Sequence, residues 1–371
     1  MKFYIIAGER SGDLHGSNLV KALNNQKTNL EFRGFGGNQM KEAGVNLVMH
    51  YDQLAFMGFE AVVNFFKIAK YMKNCKEDIL EYEPTAIILV DYGGFNRRIA
   101  TFAKKNKITV FYYIPPKVWA WRQGRAWQLK KDVDRMYVIL PFEKEFYKKY
   151  DFEVDYVGNP VVDAIKSFTP NATFLVDNDL SIENKIVALL PGSRAMELKK
   201  IVPLMAEVAK EKPEFQFVVA AVDNLAAELY APLRELSNVK FVFNATYDLL
   251  TIADAAIVTS GTATLETALF KVPQVVVYQA GSLEYFIASS VIKVPYISLV
   301  NLIAGREVVR ELIQKAANLE SVNKELNALL KDLAYRNKML SEYDLLYQTL
   351  DIGSASENTA KLMMTYLTSH T

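Results

Sequence analysis

Five consecutive residues, Ala86-Ile87-Ile88-Leu89-Val90, carry no polar side chain, and short runs of this kind recur between helical stretches along the chain. A strand with one wet face alternates apolar and polar residues, whereas a strand apolar throughout has both faces covered. Expected strands are 2–7, 31–35, 85–91, 108–114, 135–140 and 153–157 in the first half. In the second half they are 185–190, 216–221, 239–243, 255–259 and 274–278. Strands that alternate with helices build βαβ units, so the fold class is α/β with parallel sheets. A chain of 371 residues, half of them apolar, suits two such cores better than one. Turn formers cluster at Thr169-Pro170-Asn171 and Asp177-Asn178-Asp179. They divide the chain into an N-terminal domain, 1–168, and a second Rossmann-like domain, 169–345, facing it across a cleft. In the tail, 346–371, Ser354-Ala355-Ser356-Glu357 reads as a capping box for a last helix, expected to pack back on the N-terminal domain.

The formal net charge of +1 gives no global field that would draw nucleic acid, so any basic site must be local. One cysteine, Cys75, has no internal partner for a disulfide and fits a reducing compartment. The opening apolar run is too short for a signal peptide, and no stretch reaches the roughly 20 apolar residues of a membrane span.

Ligands of open parallel sheets bind outside the carboxyl ends of strands, so the residues that follow each strand are the ones to read. The first strand runs into Gly8-Glu9-Arg10-Ser11-Gly12-Asp13. Small residues there admit a ligand to the backbone and to a helix N-terminus, or they form a plain turn with Ser11 or Asp13 as the N-cap. Gly34-Phe35-Gly36-Gly37 follows the second strand but fails the dinucleotide fingerprint, because Gln39 holds the last glycine position. Asp91 ends an apolar strand, where a carboxylate either caps a helix or serves as a base with a raised pKa.

In the second half, Gly192-Ser193-Arg194 brings backbone N–H groups, a helix dipole and a guanidinium toward one anion, which suits a diphosphate. Ser260-Gly261-Thr262 forms a second small, hydroxyl-rich turn before a helix. Glu266, out of capping-box register, is either an ordinary first-turn acid or an acceptor for the two hydroxyls of a ribose.

Together these segments resemble the lipid-A-disaccharide synthase family of GT-B glycosyltransferases. The resemblance runs in order through Ala7-Gly8-Glu9-Arg10-Ser11-Gly12-Asp13, Leu54-Ala55-Phe56-Met57-Gly58, Val118-Trp119-Ala120-Trp121-Arg122 and Leu140-Pro141-Phe142-Glu143. It continues through Tyr156-Val157-Gly158-Asn159-Pro160, Leu190-Pro191-Gly192-Ser193-Arg194, Ser260-Gly261-Thr262-Ala263-Thr264-Leu265-Glu266 and Asn301-Leu302-Ile303-Ala304-Gly305-Arg306.

The resemblance implies a reaction in which UDP-2,3-diacylglucosamine donates its sugar to 2,3-diacylglucosamine 1-phosphate, giving a β-1,6 disaccharide phosphate and UDP. An α-linked donor that gives a β product implies inversion, hence one in-line displacement assisted by a general base. Asp91 or Glu9 is the implied base. Gly192, Ser193, Arg194, Ser260, Gly261, Thr262, Glu266 and Asn301 are the implied UDP contacts. No cofactor and no metal are expected. Gly94 stands where the family carries a second aspartate, Arg10 where it usually has alanine, and Asn159 where it has histidine. Ser11, Phe56, Met57, Phe59, Val62, Phe66, Trp119 and Trp121 are expected to meet the acceptor, its acyl chains or the membrane, with Lys67, Lys70, Lys73 and Lys76 over anionic head groups. The expected place is the cytoplasmic face of the inner membrane, held peripherally, with a homodimer left open and no nucleic-acid partner. The alternatives are another GT-B enzyme (N-acetylglucosamine transfer to a lipid carrier, or UDP-N-acetylglucosamine epimerisation) and a non-catalytic sugar-nucleotide-binding protein.

Overall fold

The computed structural model describes residues 1–53, 65–281 and 294–369, and the chain divides into two compact units. The first comprises Met1–Pro160 together with Asp351–Thr371, and the second Val161–Leu350.

The first unit holds a seven-stranded, all-parallel sheet in the order β3-β2-β1-β4-β5-β6-β7. Its strands are β1 (Lys2–Ala7), β2 (Glu31–Gly36), β3 (Val45–His50), β4 (Ala86–Val90), β5 (Thr109–Tyr113), β6 (Arg135–Val138) and β7 (Asp155–Tyr156). The second unit holds a six-stranded parallel sheet in the order β10-β9-β8-β11-β12-β13. These are β8 (Ile186–Leu190), β9 (Gln216–Ala221), β10 (Val239–Phe243), β11 (Ala255–Thr259), β12 (Gln274–Tyr278) and β13 (Arg310–Ile313).

Every residue of β4, β8 and β11 is buried, as sequences apolar throughout, but for Thr259 at the end of β11, require. Each such Ile, Leu or Val contributes about 1.5–3 kcal/mol relative to an exposed side chain. The two strands absent from the sequence reading, β3 and β13, are both edge strands. Val45-Asn46-Leu47-Val48-Met49-His50 and Arg310-Glu311-Leu312-Ile313 are only partly buried and carry the polar residues of a wet edge.

The terminal helix Ala355–Ser369 inserts Ala360, Met363 and Leu367, spaced by three and four, into the same core as Phe3, Ile5, Ile88 and Phe111. Gly158 permits the return of the chain: it sits at φ 96°, and a Cβ there would stand 3.0 Å from the Gly353 carbonyl. Asn358 Nδ2 donates to the Val157 carbonyl at 3.1 Å. Among the described residues no helix is long and apolar enough to cross a membrane.

In each sheet the strand order reverses once. The first reversal lies between β1 and β4, the second between β8 and β11. Loops leaving the carboxyl ends of strands on either side of such a reversal diverge, and ligands settle there.

Candidate functional site

At the first switch point the loops after β1 and β4 are locked together. A Cβ on Gly8 would stand 2.3 Å from Cγ of Tyr92, so only glycine lets the Tyr92 ring lie over the β1 loop. Asp91 and Tyr92 are both left-handed, at φ 47° and 48°. Two consecutive non-glycine residues in that region cost about 1–3 kcal/mol each. The surroundings hold them: the Asp91 N–H donates to the Tyr113 carbonyl (3.2 Å), and the Asp91 carbonyl accepts from Asn96 Nδ2 (2.9 Å) and from the Tyr112 hydroxyl (2.8 Å). Asn96 is fully buried, and its Nδ2 also faces the carbonyls of Ile6 (3.3 Å) and Val90 (3.2 Å), which fixes the orientation of the amide.

The strand-end turn therefore presents the half-buried Asp91 side chain from an anchored backbone. Burial holds its carboxyl above the usual range, against the charge of Lys117 and the Tyr92 N–H. Glu9 stands at the N-cap of the helix Arg10–Gln26, and its charge, after burial, raises the Tyr92 hydroxyl. Ser11 is exposed in the first turn of that helix. His15, half-buried, is pushed down to about 4 by burial and is neutral at ordinary pH.

Asp13 corrects the N-cap expectation. It does not cap its own helix but accepts the N–H groups of Gly37 (2.7 Å), Gln39 (3.1 Å) and Met40 (3.1 Å), and it is 2% exposed. The glycine loop after β2 thus gives its amides to an internal carboxylate, which explains on physical grounds why it is not a dinucleotide site.

Next to this switch point, Trp119 is buried and its Nε1–H donates to Glu143 Oε1 at 3.1 Å, while Glu143 Oε2 accepts the Leu140 N–H at 3.0 Å. Trp119 is therefore a core residue, which corrects its pairing with Trp121 as a lipid-facing group; Trp121 is 44% exposed. Burial pushes the Glu143 carboxyl up to about 7, against its N–H donors and Lys117. Asn159 is buried and donates to the Ile139 carbonyl at 3.1 Å. Phe56, Met57, Phe59 and Val62 lie outside the described residues, and so does the side chain of Phe66.

At the second switch point the turn after β8 differs from expectation in one respect. Glu197 Oε2 accepts the N–H groups of Ser193 (3.1 Å) and Arg194 (3.2 Å), and Arg194 Nη1 lies 3.2 Å from Glu197 Oε1. Gly192, at φ 105°, leaves room for this, since a Cβ would meet Glu197 Oε2 at 2.4 Å. The two amides assigned to an anion are capped internally, and Arg194, 75% exposed in its side chain, is the group left to reach a ligand.

After β11, the Ser260 hydroxyl donates to the Ile297 carbonyl (2.8 Å), Thr262 is exposed at the start of the helix Thr262–Leu269, and a Cβ on Gly261 would meet nothing within 4 Å. Glu266, on the same helix, is half-buried; its Oε1 accepts the Tyr247 hydroxyl at 2.9 Å, and burial raises its carboxyl against that bond. Asn301 is corrected as a ligand contact. It is fully buried, donating to the Val309 carbonyl (2.8 Å) and Glu311 Oε1 (2.9 Å) and accepting the N–H groups of Val308 (2.7 Å) and Val309 (3.0 Å). Its amide is spent on clamping the chain before β13. Tyr247, Glu197, Tyr112 and Lys117 carried no sequence signal of their own, because their roles come from neighbours distant in the chain.

The family model described as lipid-A-disaccharide synthetase matches residues 3–363. A lipid-A-disaccharide synthase of Syntrophus aciditrophicus is 38% identical over 371 residues, covering 98% of this chain and 97% of its own. Among solved structures, the glycotransferase of kitacinnamycin aligns with a TM-score of 0.68 at 14% identity over 99% of both chains. The UDP-GlcNAc 2-epimerase of Neisseria meningitidis bound to UDP-GlcNAc gives 0.67 at 13% identity over 100% of both. These structural likenesses show the fold, two Rossmann-like units of the GT-B type.

Proposed function

The chain belongs to the lipid-A-disaccharide synthetase family, and from that membership we propose how its two switch points divide the work of one sugar transfer. The protein is a glycosyltransferase that forms the lipid A disaccharide, joining a sugar carried on UDP to a lipid-linked acceptor. The observation that carries the division of labour is topological: the loops after β1 and β4 and those after β8 and β11, which hold the sequence's distinctive turns, flank the reversals of the two sheets.

In this reading the first unit supplies the base. Asp91, kept on an anchored turn and held above the usual carboxylate range, takes the proton of the acceptor 6-hydroxyl as that oxygen attacks the anomeric carbon of the donor. Glu9, on the adjoining loop, is the second candidate for that role. The second unit holds UDP. Arg194 meets the diphosphate, the turn Ser260-Gly261-Thr262 offers its helix N-terminus, and the free oxygen of Glu266 accepts from the ribose. Oε1 of Glu266 already accepts the Tyr247 hydroxyl, so Oε2 is the oxygen with its whole acceptor capacity left for the ribose. The leaving UDP is stabilised by these fixed positive ends, with no metal in the reading.

The donor is UDP-2,3-diacylglucosamine and the acceptor 2,3-diacylglucosamine 1-phosphate. Substrates that keep four acyl chains in total place the protein at a membrane surface, and the exposed Trp121 and Trp127 suit that interface. A homodimer belongs to the same reading and is tested by sedimentation.

The test is incubation of the purified protein with both acylated sugars, followed by mass spectrometry. A disaccharide phosphate formed in step with UDP supports the reading. UDP released without disaccharide, or no turnover, sends the assignment of the acceptor back.

A further inference from the structure

Two guanidinium groups of the first unit lie beside Trp121, and a third, Arg97, stands near enough for its charge to act on one of them. Arg122 lies over the Trp121 ring at 4.4 Å and Arg125 at 5.5 Å. Arg97, from the helix Gly93–Lys105, donates from Nη1 to Gln128 Oε1 at 2.8 Å, and its buried Nε has no partner. Burial, then the charges of Arg97 and Arg122, holds Arg125 below the usual arginine range, so Arg125 feels both of the others. None of them forms an ion pair among the described residues. The acid in this hydrogen-bond network, Asp132, is buried and takes its hydrogen bonds from Thr101 (2.5 Å) and Gln128 (3.5 Å). Like charges gathered in this way raise the free energy of the empty protein, and a bound dianion removes that penalty.

The position is as telling as the charge. Arg97 stands on the helix that begins directly after Asp91 and Tyr92, and Arg122 and Arg125 lie in the segment that follows β5, the strand paired with β4. Both segments leave the carboxyl edge that carries the candidate base. Guanidinium forks fit phosphate oxygens in pairs, and two of the three lie over the face of Trp121.

We propose that Arg97, Arg122 and Arg125 form the seat for a phosphomonoester, the 1-phosphate of the acceptor sugar. The proposal rests on the reading under Proposed function, and it adds how this enzyme selects a phosphorylated acceptor. Trp121 then stands where the phosphorylated head of a lipid acceptor meets its apolar part.

The experiment compares the parent protein with Arg97→Gln, Arg125→Gln and the charge-keeping Arg97→Lys. Each is assayed in detergent micelles with 2,3-diacylglucosamine 1-phosphate and with the same sugar lacking its phosphate. Loss of one charge-assisted bond raises KM for the phosphorylated acceptor about ten-fold in each glutamine variant. The KM for the unphosphorylated sugar stays at the parent value, and Arg97→Lys recovers part of the loss. Equal changes with both acceptors, or none with either, overturn the proposal. Flotation with phosphatidylcholine vesicles, with and without phosphatidylglycerol, separates the second source of phosphate. Lost binding to the anionic vesicles with an unchanged acceptor KM would assign the cluster to bilayer head groups and overturn the acceptor seat. If the parent transfers sugar to neither acceptor, the proposed function fails first. Phosphorus NMR of glucosamine 1-phosphate then decides the seat alone: broadening by the parent that the glutamine variants lose supports it, and no broadening overturns it.

Discussion

The side-chain amide of Asn96 donates to the backbone carbonyl of Asp91 at 2.9 Å, five residues away, and holds a left-handed turn that the strand alone would not adopt. Tyr112 reaches the same oxygen at 2.8 Å from the neighbouring strand. Two hydrogen bonds of about 0.5–1.5 kcal/mol each offset much of the strain of the turn. The backbone that carries the proposed base is thus held by the side chains of Asn96 and Tyr112.

Asn96→Ala is therefore expected to lower kcat about 100-fold through misplacement of Asp91, with a much smaller change in the KM for the UDP-sugar. Tyr112→Phe keeps the ring packed and removes one bond, so its loss is smaller, about ten-fold. Steady-state kinetics beside a thermal melt checks both. A fall in kcat that tracks the loss of folded protein would reduce Asn96 to a structural role.

Asp91→Asn should remove turnover while UDP still binds. The pH profile carries the finer prediction. Burial raises the Asp91 carboxyl and Lys117 lowers it, so removing that cation raises it further. A base works ionised, so activity falls as pH drops through its pKa. Lys117→Met is expected to move the acidic limb of kcat/KM to higher pH. A limb that stays in place would transfer the base role to Glu9.

How much of this was legible in the sequence depended on where each partner lies in the chain. Strands covered on both faces, such as β4 and β11, announce themselves by composition, while the edge strands β3 and β13 look like loops because half of each is wet. The turns Gly8–Asp13, Gly192–Arg194 and Ser260–Thr262 were readable as small-residue loops after strands. Which acid fills an anion-binding turn was not, since Asp13 caps a loop 24 residues on and nothing local marks it. Asn301 stood out only through the resemblance, as an implied UDP contact, and only the fold shows its amide spent on Val308, Val309 and Glu311. Trp119 and Trp121 are two residues apart and face a core and solvent respectively, a split that a short helix makes and composition hides.

Arg194→Ala should weaken UDP binding by about 1.5–3 kcal/mol, the worth of one charge-assisted bond. Glu197 sets the opposing expectation. Its carboxylate sits on the Ser193 and Arg194 amides, beside the place assigned to the diphosphate. Glu197→Gln keeps an oxygen for those amides and removes a like charge worth about 1 kcal/mol in a solvated setting, so UDP affinity rises about five-fold. Titration calorimetry at low and high salt reads this, and the gain should shrink with salt. Weaker binding would mean that the carboxylate shapes the turn for its ligand.

Glu143 gives the last prediction, one of stability. Its carboxyl is pushed from 4.5 to about 7 by burial, despite the N–H groups of Leu140 and Trp119. Between those two pH values the folded protein holds a proton that the unfolded chain has released. Stability must therefore fall as pH rises through the window, because the unfolded state binds fewer protons there. The contribution is fully present below about 4.5 and is lost once pH passes about 7, a span of roughly 3 kcal/mol at 1.36 kcal/mol per unit. Other groups titrate in the same range, so the variant isolates this one. Glu143→Gln cannot ionise; it forfeits one acceptor for the two N–H donors and lowers stability throughout. The slope between pH 5 and 8 should flatten relative to the parent. Urea unfolding at four pH values in that interval would measure it, and parallel curves for parent and variant would show that Glu143 remains ionised in the fold.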